Sequence, residues 1–391
     1  MSGCPAGQLT YNGKMHIATP AHDRPLVIPQ SMWLVAISAI LVLGGLWAFG
    51  GLPAHDPDDL STSLRGTAGT WYHVYFTRPH QQEQPSDRVA GLDSVIISDL
   101  QHAQKEIVIA CFDLDLRTVT DALKAAKRRS VDVRLVVDDQ NLEKPLTAWM
   151  IGELQRASIP VTFDHRRAFM HNKFIVLDEQ IVWTGSANLT INDTFRNNNN
   201  MLRISSRDLA ANYLAKFAAL FAGQGGPGHP VALLHPRLRF GQAAVENAFA
   251  PDDPITDEIV TRIKAAHHSI DLLAFTFTSQ PIAQALIDAQ RRKVRIRGVL
   301  ESYNAHAAVS TLDQLKYVKV DMQLDGNCYN MHDKVMVLDG TVVITGSFNW
   351  TAAAQRQNDE NVLMIEDGGV AQEYTREFER IYAQAKHPDR C

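Results

Sequence analysis

Apolar and polar positions fall into two rhythms that take turns along most of this chain. WYHVYF, from Trp71, alternates with period two, as a strand with one covered face does, and Val89, Leu92, Val95, Ile96 and Leu100 then mark one face of a helix. IVIACFDL is short and nearly continuously apolar, which predicts a strand covered on both sides. A helical stripe from Val119 to Arg129 and the strand VDVRLVVDD follow. The series then returns as VENAFA, a helix over Asp257 to His267, IDLLAFTF, a helix from Ile282, and VRIRGVL. Phe112 finds its counterpart in Phe275, and Ala122 and Leu123 in Ala285 and Leu286, each 163 positions on. Strands alternating with helices predict an α/β fold, helices covering the faces of a largely parallel or mixed sheet. GQGGPGHP, from Gly223, is the linker between two lobes of similar size.

The clearest return is FMHNKFIVLDEQIVWTGSAN, from Phe169, which comes back as NMHDKVMVLDGTVVITGSFN, from Asn330. His171, Lys173, Asp178, Ser186 and Asn188 have counterparts in His332, Lys334, Asp339, Ser347 and Asn349, each 161 positions later. FIVL and VMVL read as buried strands, so His and Lys sit at a strand mouth and, two residues apart in an extended chain, point the same way. Imidazole, ammonium, hydroxyl and amide donors together suit an anionic oxyacid group such as phosphate. A neutral His to attack and a protonated His to release the leaving oxygen make covalent and general acid catalysis. Each copy supplies one His, so the two copies are expected to face each other as one site built twice. Asp178 and Asp339 follow the apolar strand and point away from its mouth, which suits a structural hydrogen-bonding role.

On these residues the chain resembles the phospholipase D superfamily, whose H-x-K-x4-D signature with a following G-S/G-x-N it carries twice, over about residues 70 to 391. The resemblance implies two pseudo-twofold-related lobes, each a mixed sheet flanked by helices, and a phosphohistidine intermediate with no metal or organic cofactor. It also implies a carboxylate bonded to one catalytic imidazole. Aligning NNNMLRI with DENVLMI places Asn199 opposite Glu360, both 28 residues after their His, and only Glu360 offers a carboxylate there. In relatives resembling this chain that carboxylate reaches across to the His of the other half. His171 is then expected as nucleophile and His332 as general acid. Lys173, Lys334, Asn188, Asn349, Ser186 and Ser347 are expected at the phosphoryl oxygens.

The rest of the chain adds a membrane to this picture. Residues 1–30 mix Gly, Pro and polar residues without a period and read as a disordered tail. Ser31 to Leu52 is 22 residues without a charge, long enough to span a bilayer as a helix, with Trp33 and Trp47 suited to the interfaces. Lys14 and Arg24 precede it and Asp56, Asp58 and Asp59 follow, which puts the N-terminus in the cytoplasm and the body from residues 70–222 through a 223–235 linker to 236–391 outside. A cleaved signal peptide is the alternative.

Composition narrows the substrate little. The 391 residues are 45% apolar and 21% charged, an ordinary globular balance, and a net charge of −5 speaks against a chain built to coat nucleic acid. Lys127, Arg128 and Arg129, and Arg291, Arg292 and Lys293, close the same helix in each repeat and suit its dipole, whereas Arg166 and Arg167 stand just before His171. Cys4, Cys111, Cys328 and Cys391 show no paired spacing, and no histidine falls in a metal-ligand spacing. The sequence therefore reads as a membrane-anchored phosphodiesterase, first as a phospholipase D acting on phospholipid, complete within one chain. A metal-independent nuclease acting on nucleic acid, a phosphatidyltransferase like the cardiolipin synthases, and a non-catalytic phosphate- or lipid-binding membrane protein stand as alternatives.

Overall fold

The computed structural model describes residues 64–80, 82–388 and 391. The N-terminal tail and the expected membrane segment, Ser31 to Leu52, lie outside those residues. Among the described residues no helix is long and apolar enough to cross a membrane.

Each copy of the repeat builds an eight-stranded mixed sheet. The first copy contributes β1 (Leu64–Ala68), β2 (Tyr72–Thr77), β3 (Glu106–Cys111), β4 (Asp132–Val137), β5 (Val161–Phe163), β6 (Lys173–Leu177), β7 (Ile181–Gly185) and β8 (Asn200–Ser205). They lie in the order β1-β2-β8-β7-β6-β3-β4-β5. The second contributes β9 (Arg237–Phe240), β10 (Ala243–Ala250), β11 (Ser269–Ala274), β12 (Arg295–Leu300), β13 (Asp321–Leu324), β14 (Lys334–Leu338), β15 (Val342–Gly346) and β16 (Glu360–Glu366). Their order, β9-β10-β16-β15-β14-β11-β12-β13, is the same. The edge strands LRGTA and RLRF are too short and polar to announce themselves by period.

The outer face of each sheet carries its own helices. Leu92–His102 and Arg117–Arg128 cover the first sheet and bury Leu100, Val119 and Leu123 against Ile109 and Leu135. Ile255–Ala265 and Gln280–Arg291 do the same in the second. Val89, expected on the first of these helices, stands outside it and is 67% exposed, because the helix begins only after the turn at Ala90 and Gly91. Arg129 donates to the carbonyls of Leu100 and Ala103, and Arg292 to those of Ile263 and Ala266. One cation of each basic cluster thus closes the C-terminus of the neighbouring helix.

The inner faces share one core. Val74, Phe174, Tyr213 and Phe217 of the first lobe join Val245, Val335, Leu363 and Tyr374 of the second, with the helices Arg207–Phe221 and Gly368–Lys386 packed on these faces. Each such side chain contributes about 1.5–3 kcal/mol when fully covered, so the lobes stabilise each other. Cys328 and Cys391, which no sequence spacing paired, form a disulfide with Cα atoms 5.4 Å apart. It ties the chain's last residue to the loop just before His332.

Candidate active site

β3, β4 and β5 run parallel and end at the sheet edge where antiparallel β6 begins, and β11, β12 and β13 end where β14 begins. His171 and His332 precede β6 and β14 at that edge. Each is fixed by the opposite lobe through a short parallel bridge. His171 donates its backbone N–H to the Asp359 carbonyl and Asp359 donates back to Phe169, both at 2.9 Å. His332 donates to the Asn198 carbonyl and Asn198 donates to Asn330, again both at 2.9 Å. The residue after each bridge strand, Glu360 or Asn199, is thereby delivered to the other lobe's imidazole.

Glu360 is fully buried and its Oε2 lies 2.7 Å from His171 Nδ1. An ionised carboxylate only accepts, so Nδ1 carries the proton and Nε2 is left with its lone pair. Asn199 Oδ1 lies 2.9 Å from His332 Nδ1. Ser186 and Ser347, expected at phosphoryl oxygens, turn their hydroxyls to protein groups. Both are fully buried; each hydroxyl accepts the backbone N–H of Asn200 or Asn361 at 3.0 Å and donates to Asn199 Oδ1 (2.8 Å) or Glu360 Oε2 (2.5 Å). They orient the group that orients the histidine. The preceding glycines are required because a Cβ on Gly185 or Gly346 would come within 2.2 or 2.1 Å of the Asn200 or Asn361 carbonyl oxygen.

Lys173 and Lys334 are buried, their ammonium groups donating to the His171 carbonyl at 3.0 Å and the His332 carbonyl at 2.5 Å. Lys173 Nζ lies 5.2 Å from the centre of the Phe112 ring and Lys334 Nζ 4.7 Å from that of Phe275. Asn188 donates both its backbone N–H and its amide to Asp193 Oδ2 at 2.7 Å, so that its amide is partly committed. The Oδ1 atoms of both Asn188 and Asn349 are buried without a partner. Asp178 accepts the backbone N–H groups of Gln104, Lys105 and Glu106, and Asp339 those of His267, His268 and Ser269. They fasten the far ends of β3 and β11.

Burial dominates the electrostatics. It pushes His171 down to about 4 against the opposing pull of Glu360, with Lys173 adding to the fall. It holds His332 well below the usual range, helped by Lys334, Lys173 and His171. Burial likewise lowers Lys173 to about 8 and Lys334 well below its ordinary value. Both imidazoles are therefore neutral in the free protein, and the four groups are close enough to depress one another. A phosphate monoanion placed among them restores the missing negative charge.

The sequence missed several neighbours. Asn200 and Asn361 bridge the lobes, Asn361 donating to Thr184 Oγ1 at 2.7 Å while Asn200 accepts from Thr345 Oγ1 at 2.9 Å. Arg166, noted near the cleft, pairs with buried Asp359, which also takes Lys216 Nζ at 2.8 Å and the N–H of Gly226 in the linker. Asp138, Asp139 and Asp164 bring carboxylate oxygens within 4.8 Å of one another, but Asp138 already accepts backbone N–H groups of Gln140 and Met170.

A family model described as cardiolipin synthase, PLD-like domain, matches residues 96–221 and 259–382, one match per lobe and well over half of the chain together. The chain belongs to the phospholipase D-like family. Among phospholipase D-like relatives, a mitochondrial cardiolipin hydrolase of Xenopus laevis is 36% identical over 132 residues, 34% of this chain and 63% of that protein. A phospholipase D of Rickettsia conorii is 37% identical over 137 residues, 35% of this chain and 68% of that one. The solved phosphatidylserine synthase of Haemophilus influenzae superposes with a TM-score of 0.59 at 13% identity, over 74% of this chain and 84% of that one, a likeness of fold alone.

Proposed function

We propose that this phospholipase D-like chain hydrolyses phosphodiesters, and phospholipids first among them, through a phosphohistidine. The observation that carries the reading is the crossed support of two neutral histidines, each with Nδ1 held by the opposite lobe and a lysine beside it. His171 Nε2 attacks phosphorus while His332, neutral in the free protein and protonated at Nε2 once the phosphodiester anion lies among these groups, gives that proton to the leaving oxygen. The P–N bond forms as the P–O bond breaks, and the Glu360 carboxylate balances the charge that His171 acquires. Water then attacks the phosphohistidine and yields its proton to His332, breaking the P–N bond. Lys173, Lys334 and Asn349 are the donors for the phosphoryl oxygens.

Lipid is favoured by the rim. Of the eight large apolar side chains exposed among the described residues, Val89, Leu146, Trp149, Phe169, Tyr303 and Val309 sit on the loops or first two helical turns that follow the sheet edges carrying the histidines. An apolar, partly aromatic rim suits a bilayer interface better than a polyanion. The disulfide suits an oxidising compartment, in keeping with a body held outside the cell membrane by an anchor at Ser31 to Leu52. The names of the frog and rickettsial relatives point the same way.

The test offers the full chain, in detergent and excess EDTA, phosphatidylcholine and cardiolipin vesicles beside single- and double-stranded DNA and RNA. Lipid should be turned over fastest. Phe169→Ser with Tyr303→Ser should slow vesicle hydrolysis while sparing a water-soluble p-nitrophenyl diester. Faster cleavage of nucleic acid would give the nuclease reading precedence.

A further inference from the structure

We propose that Asp193 is the carboxylate that supports His332, so that each lobe lends one acid to the histidine of the other. The proposal rests on the phosphodiesterase reading above and adds a positioning residue to it.

The two halves do not place their acid at the same point of the repeat. Glu360 has Asn199 as its first-lobe counterpart, which by itself leaves His332 without an acid. Asp193, whose second-lobe counterpart is Ala354, sits on the short helix Ile191–Phe195 six residues earlier. Its Oδ2 stands 3.6 Å from His332 Nδ1, and its side chain is 4% exposed. The first lobe thus combines Asp193 with Asn199, and the second Ala354 with Glu360. In each case the pair holds one acid and one uncharged residue.

Asp193 is held in place by donors on several sides. Oδ2 accepts the backbone and side-chain N–H groups of Asn188, and Oδ1 accepts the Asn197 amide at 2.6 Å. Its backbone carbonyl takes the Asn199 amide at 3.1 Å, which fixes Asn199 with its oxygen toward His332. Three cationic or ionisable groups, Lys334, Lys173 and His171, act against a proton on His332. The Asp193 charge also supports the ammonium forms of both lysines. A carboxylate at ion-pair distance is what that crowd of positive charge requires if His332 is to hold a proton until the leaving oxygen takes it. Asp193 touches neither phosphorus nor the leaving group.

The experiment compares four full-length variants on two substrates. One substrate leaves as an alkoxide and is whichever of phosphatidylcholine or single-stranded DNA the wild type turns over. The other is bis(p-nitrophenyl) phosphate, whose leaving group needs no proton. Asp193→Asn keeps the shape and removes the charge. It should lower kcat about 10- to 100-fold on the first substrate, part of the 10²- to 10⁴-fold worth of general acid help, and only a few-fold on the second, with KM little changed. His332→Asn should show the same profile more strongly, and His171→Asn should lose both substrates. Asp193→Ala combined with Asn199→Glu rebuilds in the first lobe the arrangement of the second and should recover most of the loss.

An Asp193→Asn variant whose profile over the two substrates follows His171→Asn, or departs from that of His332→Asn, overturns the proposal. Identical profiles for the two histidine variants would also count against it, because no separate His332 task would remain. If the histidine profiles are exchanged while Asp193→Asn still follows His332→Asn, the proposal holds and only the naming of acid and nucleophile changes. Absence of turnover on every diester would strike the phosphodiesterase reading itself.

Discussion

Replacing Asp333 by Asn should stabilise the protein, and more so as pH rises. Asp333 is fully buried, accepts the Asn200 amide at 2.6 Å on Oδ1, and has no partner for Oδ2. Burial raises its carboxyl to about 7, with Glu377 adding to the rise and Asn200 and Lys334 opposing it. A folded-state value above the unfolded one means that the fold keeps a proton the unfolded chain gives up. The stability it contributes is complete below about pH 4 and is lost as pH climbs through about 7. At about 1.36 kcal/mol per pK unit the full loss is at most roughly 4 kcal/mol. Asn has no proton to lose, keeps an acceptor for Asn200, and is what the first lobe carries at the matching place, Asn172. Urea unfolding of the full chain at pH 5 and pH 8 should show the Asp333→Asn variant gaining about 2–3 kcal/mol on the wild type between the two, with unchanged m. His171 and Asp138 also titrate out of their usual ranges, but they do so in both proteins and cancel in the difference. A gap that stays constant with pH, or a variant less stable at pH 8, would refute the reasoning.

Two further predictions address the site and its frame. Glu360→Gln should slow formation of the phosphohistidine on His171 about 10- to 100-fold, because the imidazole keeps a neighbour but loses the charge that balances its cation; acid-quenched single-turnover trapping reads this, and an unchanged rate would remove Glu360 from the mechanism. Cys391→Ser should lower stability by about 4 kcal/mol on the chain-entropy account of a loop closed over a separation of 63 residues, read as a lower urea midpoint under non-reducing conditions; coincident unfolding curves would show that the bridge constrains little.

The repeat was legible because its polar landmarks keep one spacing. An offset of 161 places His171 with His332 and Asn199 with Glu360, and the same register forecasts two equivalent sheets. The hydroxyls of Ser186 and Ser347 could not be placed, since a serine next to a strand end reads the same whether it turns to a ligand or back to a side chain. Asp193 escaped for the opposite reason. It has no acidic counterpart, so a search guided by symmetry passes over it, and only the short helix Ile191–Phe195 brings it beside His332. Cys328 and Cys391 carry no spacing code, because the contact between the chain end and the loop before His332 is made by packing of the helix Gly368–Lys386.

The exchange of segments between the lobes, with Asp359 lying beside Met170 and Asn198 beside Met331, has a consequence for how such a protein changes over time. Two identical chains associating about a true axis must accept every substitution twice, once on each side of the catalytic centre. Fusing the halves into one polypeptide removes that obligation. Asn172 can differ from Asp333, Asn199 from Glu360, and Asp193 from Ala354, each altered once and tested once. Covalent linkage is thus what lets two inherited copies of one half-site divide their labour without losing their shared geometry.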